Sequence, residues 1–247
     1  MTNHRCCILI PHYCHDRELA AYLPKLANAG LPAIVVDDGS DLATRARLRC
    51  LVARHPWSSL IQRDRNGGKG AAVVDGLRAL ACDGYTHAIS VDADGQHDPT
   101  DIMRICEASL AEPHAVYCGR PVFGNDVPAA RLHGRKITNV LARIETGTRT
   151  IEDAMCGFRL YPLASVLPLC ESITRRRMEF DIEVLVRVVR AGLPLHFFPT
   201  RVRYPQGGRS HYRMVYDNLL LSRMHTVLLV QRLAQIAAQW LSWARIQ

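Results

Sequence analysis

The stretch Ala88-Ile89-Ser90-Val91-Asp92-Ala93-Asp94-Gly95-Gln96-His97-Asp98-Pro99 decides how the chain reads. Ala88 to Val91 is short, apolar and partly β-branched, which suits a buried strand. The polarity then turns over abruptly to Asp92, Asp94, Gln96, His97 and Asp98. In an open α/β sheet, ligands bind outside the carboxyl ends of the strands, so acids at this point sit where chemistry is done. Two carboxylates two residues apart, with Gly95 allowing a tight turn, can face one hard divalent cation such as Mg²⁺ or Mn²⁺. A polar loop with Asp98-Pro99 capping the next helix accounts for Asp98 but leaves Asp92 and Asp94 unexplained.

Upstream, strand and helix alternate. Arg5 to Ile10 reads as a strand and Asp16 to Ala29 as a helix capped by Gly30; Ala33 to Val36 is a second strand, ending in Asp37-Asp38-Gly39-Ser40. Asp41 to Arg54 is helical, Ser59 to Gln62 is a short strand, and Asn66-Gly67-Gly68-Lys69-Gly70 opens a helix to about Ala81. This alternation predicts a mostly parallel sheet flanked by helices. The regularity fades downstream: a helix from past Pro99 to about Leu110, a strand at Ala115 to Cys118, a helix over Pro128 to Thr146, a short strand at Phe158 to Tyr161, a helix over Met178 to Arg190 and an extended run from Leu195 to Arg203. Gln206 to His211 is a loop by its glycines. From Tyr212 onward there is neither Gly nor Pro, which predicts one long amphipathic helix that does not span a bilayer. Its Arg residues and Trp240 and Trp243 suit an interfacial helix on anionic lipid. Packing on its own domain, or on a second copy in a homodimer, gives the same pattern.

At 247 residues and 48% hydrophobic content the chain can bury a sizeable core. Lys and Arg outnumber Asp and Glu by 31 to 23, a formal charge of +8, which favours an anionic partner. Nucleic acid is a poor candidate, because the basic residues are not interleaved with aromatics and no nucleic-acid-binding module is recognisable. The nine cysteines form no CxxC pair, so neither a disulfide framework nor a zinc site is indicated. Cys6 to Pro11 is too short for the apolar core of a signal peptide, and a cytoplasmic protein is expected. The Asn66 to Gly70 loop lacks P-loop spacing, and no GxGxxG follows the first strand.

Four features fall on loops after strands: Pro11 to Asp16, Asp37 to Ser40, Asn66 to Gly70 and Asp92 to Gln96. In a doubly wound sheet they share one edge. A carboxylate such as Asp38 can accept from a nucleobase or ribose, and Asp92 with Asp94 can hold a cation bridging a diphosphate. The ordered motifs IPHYCHD, VVDDGSD, NGGKGAA, VDADGQHDP, DAMCGFRLYP and GGRSH resemble the family 2 glycosyltransferases of GT-A fold, in the dolichyl-phosphate mannose synthase-like branch. The likeness runs from Cys6 to about His211; residues 1–211 are expected to form one GT-A domain, nucleotide-binding over about 1–120 and acceptor-binding over about 121–211, with residues 212–247 as the C-terminal amphipathic helix outside it.

The resemblance implies an inverting, metal-dependent transfer of a sugar from a nucleotide-diphosphate donor to a lipid-linked or membrane-associated acceptor, at the cytoplasmic face of a bacterial-type membrane. By position, Asp92, Asp94 and Gln96 resemble the metal and diphosphate ligands, and Pro11, Tyr13 and Asp38 the nucleoside pocket, with Lys69 among the donor-binding residues. Asp153 resembles the acid against the sugar and Asp181 the general base. Arg120, Arg135, Arg159, Ser210 and His211 resemble phosphate-binding residues. A hydroxyl acceptor needs the base, whereas a lipid phosphate is already an anion and needs arginines instead. Two other classes compete: a haloacid dehalogenase-type phosphatase, whose acidic motif belongs on the first strand, and a sugar-nucleotide-binding protein without turnover.

Overall fold

The structure is a computed structural model, and it describes residues 4–124, 129–202 and 213–244. Its centre is a seven-stranded sheet. The strands are β1 (Cys6–His12), β2 (Ala33–Asp37), β3 (Ser58–Gln62), β4 (His87–Ser90), β5 (Val116–Val122), β6 (Arg159–Pro162) and β7 (Leu195–Arg201), in the order β3-β2-β1-β4-β6-β5-β7. β6 runs antiparallel to β4 and β5, and the other pairings are parallel. The sheet is mostly parallel, as the alternation predicts, and the acidic stretch leaves β4 near its middle.

Side chains alternate across β1. Ile8 and Ile10 enter one apolar layer with the helices α1 (Asp16–Leu26), α2 (Leu42–Ala53) and α4 (Asp101–Ala111). Cys7 and Leu9 enter the other, with α3 (Lys69–Cys82), α5 (Ala129–Thr146), α6 (Leu163–Ser172), α7 (Phe180–Arg190) and α8 (Met214–Ala244). Ile8, Leu9 and Ile10 are fully buried, each worth about 1.5–3 kcal/mol against exposure.

The helix α6 has no counterpart among the elements expected from the sequence. Its ten residues lack a clean helical stripe, and Pro168 lies inside it, removing one backbone donor. It forms because Leu163, Val166 and Cys170 pack into the core beside α3. β5 is longer than expected and carries Gly119-Arg120-Pro121 within the sheet, paired to Phe198, Pro199 and Thr200 of β7. The first half of α8 belongs to the domain: Leu221, Met224 and Leu228 are buried in the core. Its far half leaves that surface, with Leu233, Trp240 and Leu241 about two-thirds exposed.

Candidate functional site

The loops that follow β1, β2, β3 and β4 meet at one edge of the sheet. Asp92 leaves the end of β4, and the Lys69 ammonium, on the first residue of α3, lies 2.6 Å from Asp92 Oδ1 and 2.7 Å from Asp181 Oδ2 in the first turn of α7. Burial alone would pull the lysine down, but the two carboxylates more than offset it and raise its pKa, so it stays charged. Asp92 is correspondingly held below the ordinary carboxylate range; burial raises it and Lys69 brings it down.

Asp94 has no such cation. Burial first, and the charge of Asp92 second, push it up to about 6. Its Oδ1 accepts from the Gln96 amide at 3.1 Å, which closes the turn at Gly95. His97 is buried beside this pair: its Nε2 stands 4.0 Å from Asp92 Oδ2, and its Nδ1 has no hydrogen-bond partner among the described residues. Burial lowers the pKa of His97. A pair of close carboxylates, one of them destabilised for want of positive charge, is a donor set that fits a hard divalent cation.

Gly157 matters through its missing side chain. A Cβ there would fall 2.3 Å from Lys69 Nζ and 2.9 Å from Asp92 Oδ2, so any larger residue would displace these side-chain ends where the Cys156-Gly157 chain passes over the cluster. Phe180 seats the same helix start from below, filling the space in front of Gly70.

Tyr13 stands half-exposed at the end of β1, with Pro11 buried in the strand behind it. Beneath lies a closed network. The His15 amide donates to His12 Nε2 at 3.1 Å, which leaves the proton on Nδ1 to be donated to Asp37 Oδ1 at 3.0 Å. Ser40 Oγ donates to the same carboxylate and accepts from the Cys14 amide. Burial raises Asp37, but the His12 and Ser40 hydrogen bonds outweigh it and keep its pKa low.

Several of the expected residues are engaged by the fold itself. Asp38 is buried and accepts from the Gly67 and Gly68 amides at 2.9 and 2.7 Å and from the Arg63 guanidinium, so it fixes the loop before α3. Gly68, at φ 94°, brings that second amide round to it. Arg63 has no sequence motif to betray it; it is placed by Asp38 and Asp75.

Asp153 is also buried, accepting from the Met155 and Cys156 amides and from Arg135 at 2.6 Å. It thus caps the turn and anchors Arg135. Its neighbour Glu152 pairs with Arg120 at 3.2 Å, so adjacent acids bring two guanidinium groups to one turn. Arg159 does not join them. It is fully buried, and its nitrogens donate to the carbonyls of Cys156, Ala154 and Asp181, which makes it a strut behind the Gly157 turn. Ser210 and His211 lie outside the described residues.

A second group of ligand-type side chains, His4, Cys6 and His87, lies at the opposite edge of the sheet. His4 is bonded to Ser109, and His87 to Thr86 and to the Pro113 carbonyl, as packing requires.

A parallel sheet with one reversed strand, carrying its acids beyond β4, defines a GT-A type domain. The family model for Glycosyl transferase family 2 matches residues 7–167, and the chain belongs to that family. It is 27% identical over 172 residues to a dolichyl-phosphate beta-glucosyltransferase of Dictyostelium discoideum, covering 66% of this chain and 52% of the relative. It is 30% identical over 163 residues to the polyprenol monophosphomannose synthase of Mycolicibacterium smegmatis, covering 64% of this chain and 61% of that one. The chain therefore spans little more than half the length of these two relatives. Among solved structures, glucosyl-3-phosphoglycerate synthase from Mycobacterium tuberculosis, in complex with Mn²⁺ and uridine-diphosphate-glucose, superposes with a TM-score of 0.65 over 93% of this chain and 80% of its own. At 15% identity that likeness is one of fold.

Proposed function

We propose that this chain transfers a sugar, with inversion, from a nucleotide-diphosphate donor to the phosphate of a lipid acceptor, with a divalent cation at Asp92 and Asp94. The observation that carries the reading is the cluster of Asp92, Asp94, Lys69 and Asp181 under Gly157, a charge centre suited to a diphosphate leaving group. The likeness to a dolichyl-phosphate glucosyltransferase and a polyprenol monophosphomannose synthase supports a lipid phosphate as acceptor. A cation bound there, Mn²⁺ or Mg²⁺, supplies Lewis-acid stabilisation of the diphosphate. Gln96, whose amide closes the same turn, would add a ligand.

Lys69 holds positive charge where negative charge grows on the departing diphosphate, and Asp181 fixes its position. Tyr13 and Pro11 line the nucleoside side, on the floor stiffened by His12, Asp37 and Ser40. Arg120 and Arg135 hold the acceptor phosphate, which attacks as an anion and needs no base; with a hydroxyl acceptor, Asp181 is the carboxylate to take the proton. No described helix is long and apolar enough to cross a membrane.

The test is nucleotide release from a panel of UDP-, GDP- and dTDP-sugars with Mn²⁺, Mg²⁺ or chelator, on the native protein and Asp94→Ala. Slow hydrolysis of one donor, lost on chelation and in the variant, is expected, with polyprenyl phosphate accelerating it. Failure of every free nucleotide diphosphate to bind in calorimetry would sink the proposal.

A further inference from the structure

The helices α5 and α8 carry their charge in an unusual distribution. Residues 129–151 contain five basic residues and a single acid, Glu145; residues 213–247 contain four basic residues and a single acid, Asp217. Both acids are turned inward. Glu145 is fully buried against His225, 2.6 Å away, and Asp217 is buried and accepts from the Arg213 amide. The outer surface of this helical layer therefore presents cations and no carboxylate from either segment.

At 100° per residue, the circumference of α5 divides into four strips. Thr138, Ala142 and Glu145 face the core. Arg135 and Asn139 come next and turn to the site, bonded to Asp153 and Glu152. Lys136 and Arg143 follow. Ile137, Val140 and Ile144 complete the circle, 62%, 51% and 55% exposed. The apolar strip leads into a shallow groove of about 620 Å³ lined by Val140, Arg143, Ile144, Gly147, Thr148 and Arg149. At Gly147 the Arg232 guanidinium of α8 occupies the place a side chain would take, which puts a third cation beside the groove. Beyond it α8 runs on with Leu233, Trp240 and Leu241 exposed.

We propose that the outer face of α5, its groove and the far half of α8 form a docking surface for an anionic lipid bilayer. This rests on the lipid-acceptor reading above and names the surface that would serve it. Apolar side chains flanked by Lys and Arg match the acyl boundary and anionic headgroups of such a surface. A second copy of the chain is the poorer occupant, because a symmetric contact would set this cationic face against itself. The geometry is economical for transfer to a lipid: Arg135 faces the site one strip away from Lys136, so docking through the outer strip sets the site at headgroup level.

The experiment is co-flotation with vesicles of phosphatidylcholine alone or mixed with phosphatidylglycerol, with metal-dependent donor hydrolysis measured on the same preparations. Binding to the mixed vesicles alone is expected. Lys136→Ala and Arg149→Ala should each weaken it roughly fivefold. Ile137→Glu with Val140→Glu should abolish it, while Arg54→Ala, just past the end of α2 across the sheet, leaves it unchanged. Donor hydrolysis should be the same throughout, since none of these residues touches the donor cluster. Binding that ignores the α5 variants, or that Arg54→Ala weakens equally, overturns the proposal as mere attraction to net charge. So does a dimer in light scattering that the α5 variants dissociate while vesicle binding persists. If hydrolysis is intact and no vesicle is bound, the docking surface is refuted and the glycosyltransferase reading stands; absent hydrolysis in the native protein strikes that reading instead.

Discussion

Gly157 is the residue whose replacement best separates folding from chemistry. Its missing Cβ is what Lys69 Nζ occupies, and Lys69 is a flexible side-chain end that can swing away at little cost. Gly157→Ala is therefore expected to keep a near-native thermal midpoint while donor hydrolysis falls on the order of 100-fold, as displaced catalytic groups do. Gly70→Ala makes the opposite case, because its Cβ meets the buried Phe180 ring and the cost falls on stability. A single assay of turnover beside a melting curve checks both. Equal loss of both properties in Gly157→Ala would show that the turn is structural only.

His87 gives a pH prediction away from the site. Burial lowers its pKa from 6.5, though its bond to the Pro113 carbonyl opposes this. The unfolded chain then takes up a proton near pH 6.5 that the folded chain refuses. Stability from this group is complete above that pH and is lost as the pH falls below it, by up to about 1.4 kcal/mol per unit until the folded pKa is reached. Urea midpoints compared at about pH 7.5 and about pH 5.5 should show a smaller acid loss in His87→Gln than in the native protein. The residue scale is also where sequence reading divides. Asp92 and Asp94 are legible because carboxylates placed directly after a buried apolar strand are costly to desolvate unless a cation or a donor meets them. Asp38, Asp153 and Arg159 are not, because a motif position cannot show that a carboxylate already holds two amides or that a guanidinium already holds three carbonyls.

At the scale of elements, strands β1 to β4 and helices α1 to α4 follow from alternating patterns bounded by Gly, Pro and Asp. The helix α6 is not legible, because Leu-Ala-Ser-Val-Leu-Pro-Leu-Cys owes its helicity to packing on α3 and not to local propensity. The helix α8 is legible as a helix, but its periodicity leaves own-domain, second-copy and lipid contacts equivalent. The structure divides it: Leu221, Met224 and Leu228 recur along one face and enter the core, and Arg190 reaches across to the Leu228 carbonyl and Gln231. Met224→Ala should therefore cost about 3 kcal/mol in urea unfolding, and Leu233→Ala, on the exposed half, within about 0.5 kcal/mol of nothing. Equal effects at both positions would mean that the far half packs as tightly as the near half.

For the whole molecule, the sheet separates two demands. The donor cluster sits at the strand ends and is held by short contacts between Lys69, Asp92 and Asp181, partly buried and little affected by salt. The net charge of +8 and the carboxylate-free outer face of α5 and α8 act at longer range, through solvent. At about 0.1 M ionic strength the screening length is about 10 Å, so added salt weakens that attraction first. Donor hydrolysis, with both substrates in water, should change little as potassium chloride is raised. Transfer to polyprenyl phosphate in phosphatidylglycerol-containing vesicles should fall steeply over the same range, and less steeply in Lys136→Ala, which has already lost part of the attraction. The same acceptor dispersed in neutral detergent removes the charged surface and should remove the salt dependence with it. Parallel salt curves for hydrolysis and transfer would place the sensitivity in the donor cluster and leave the outer face without a part in the reaction.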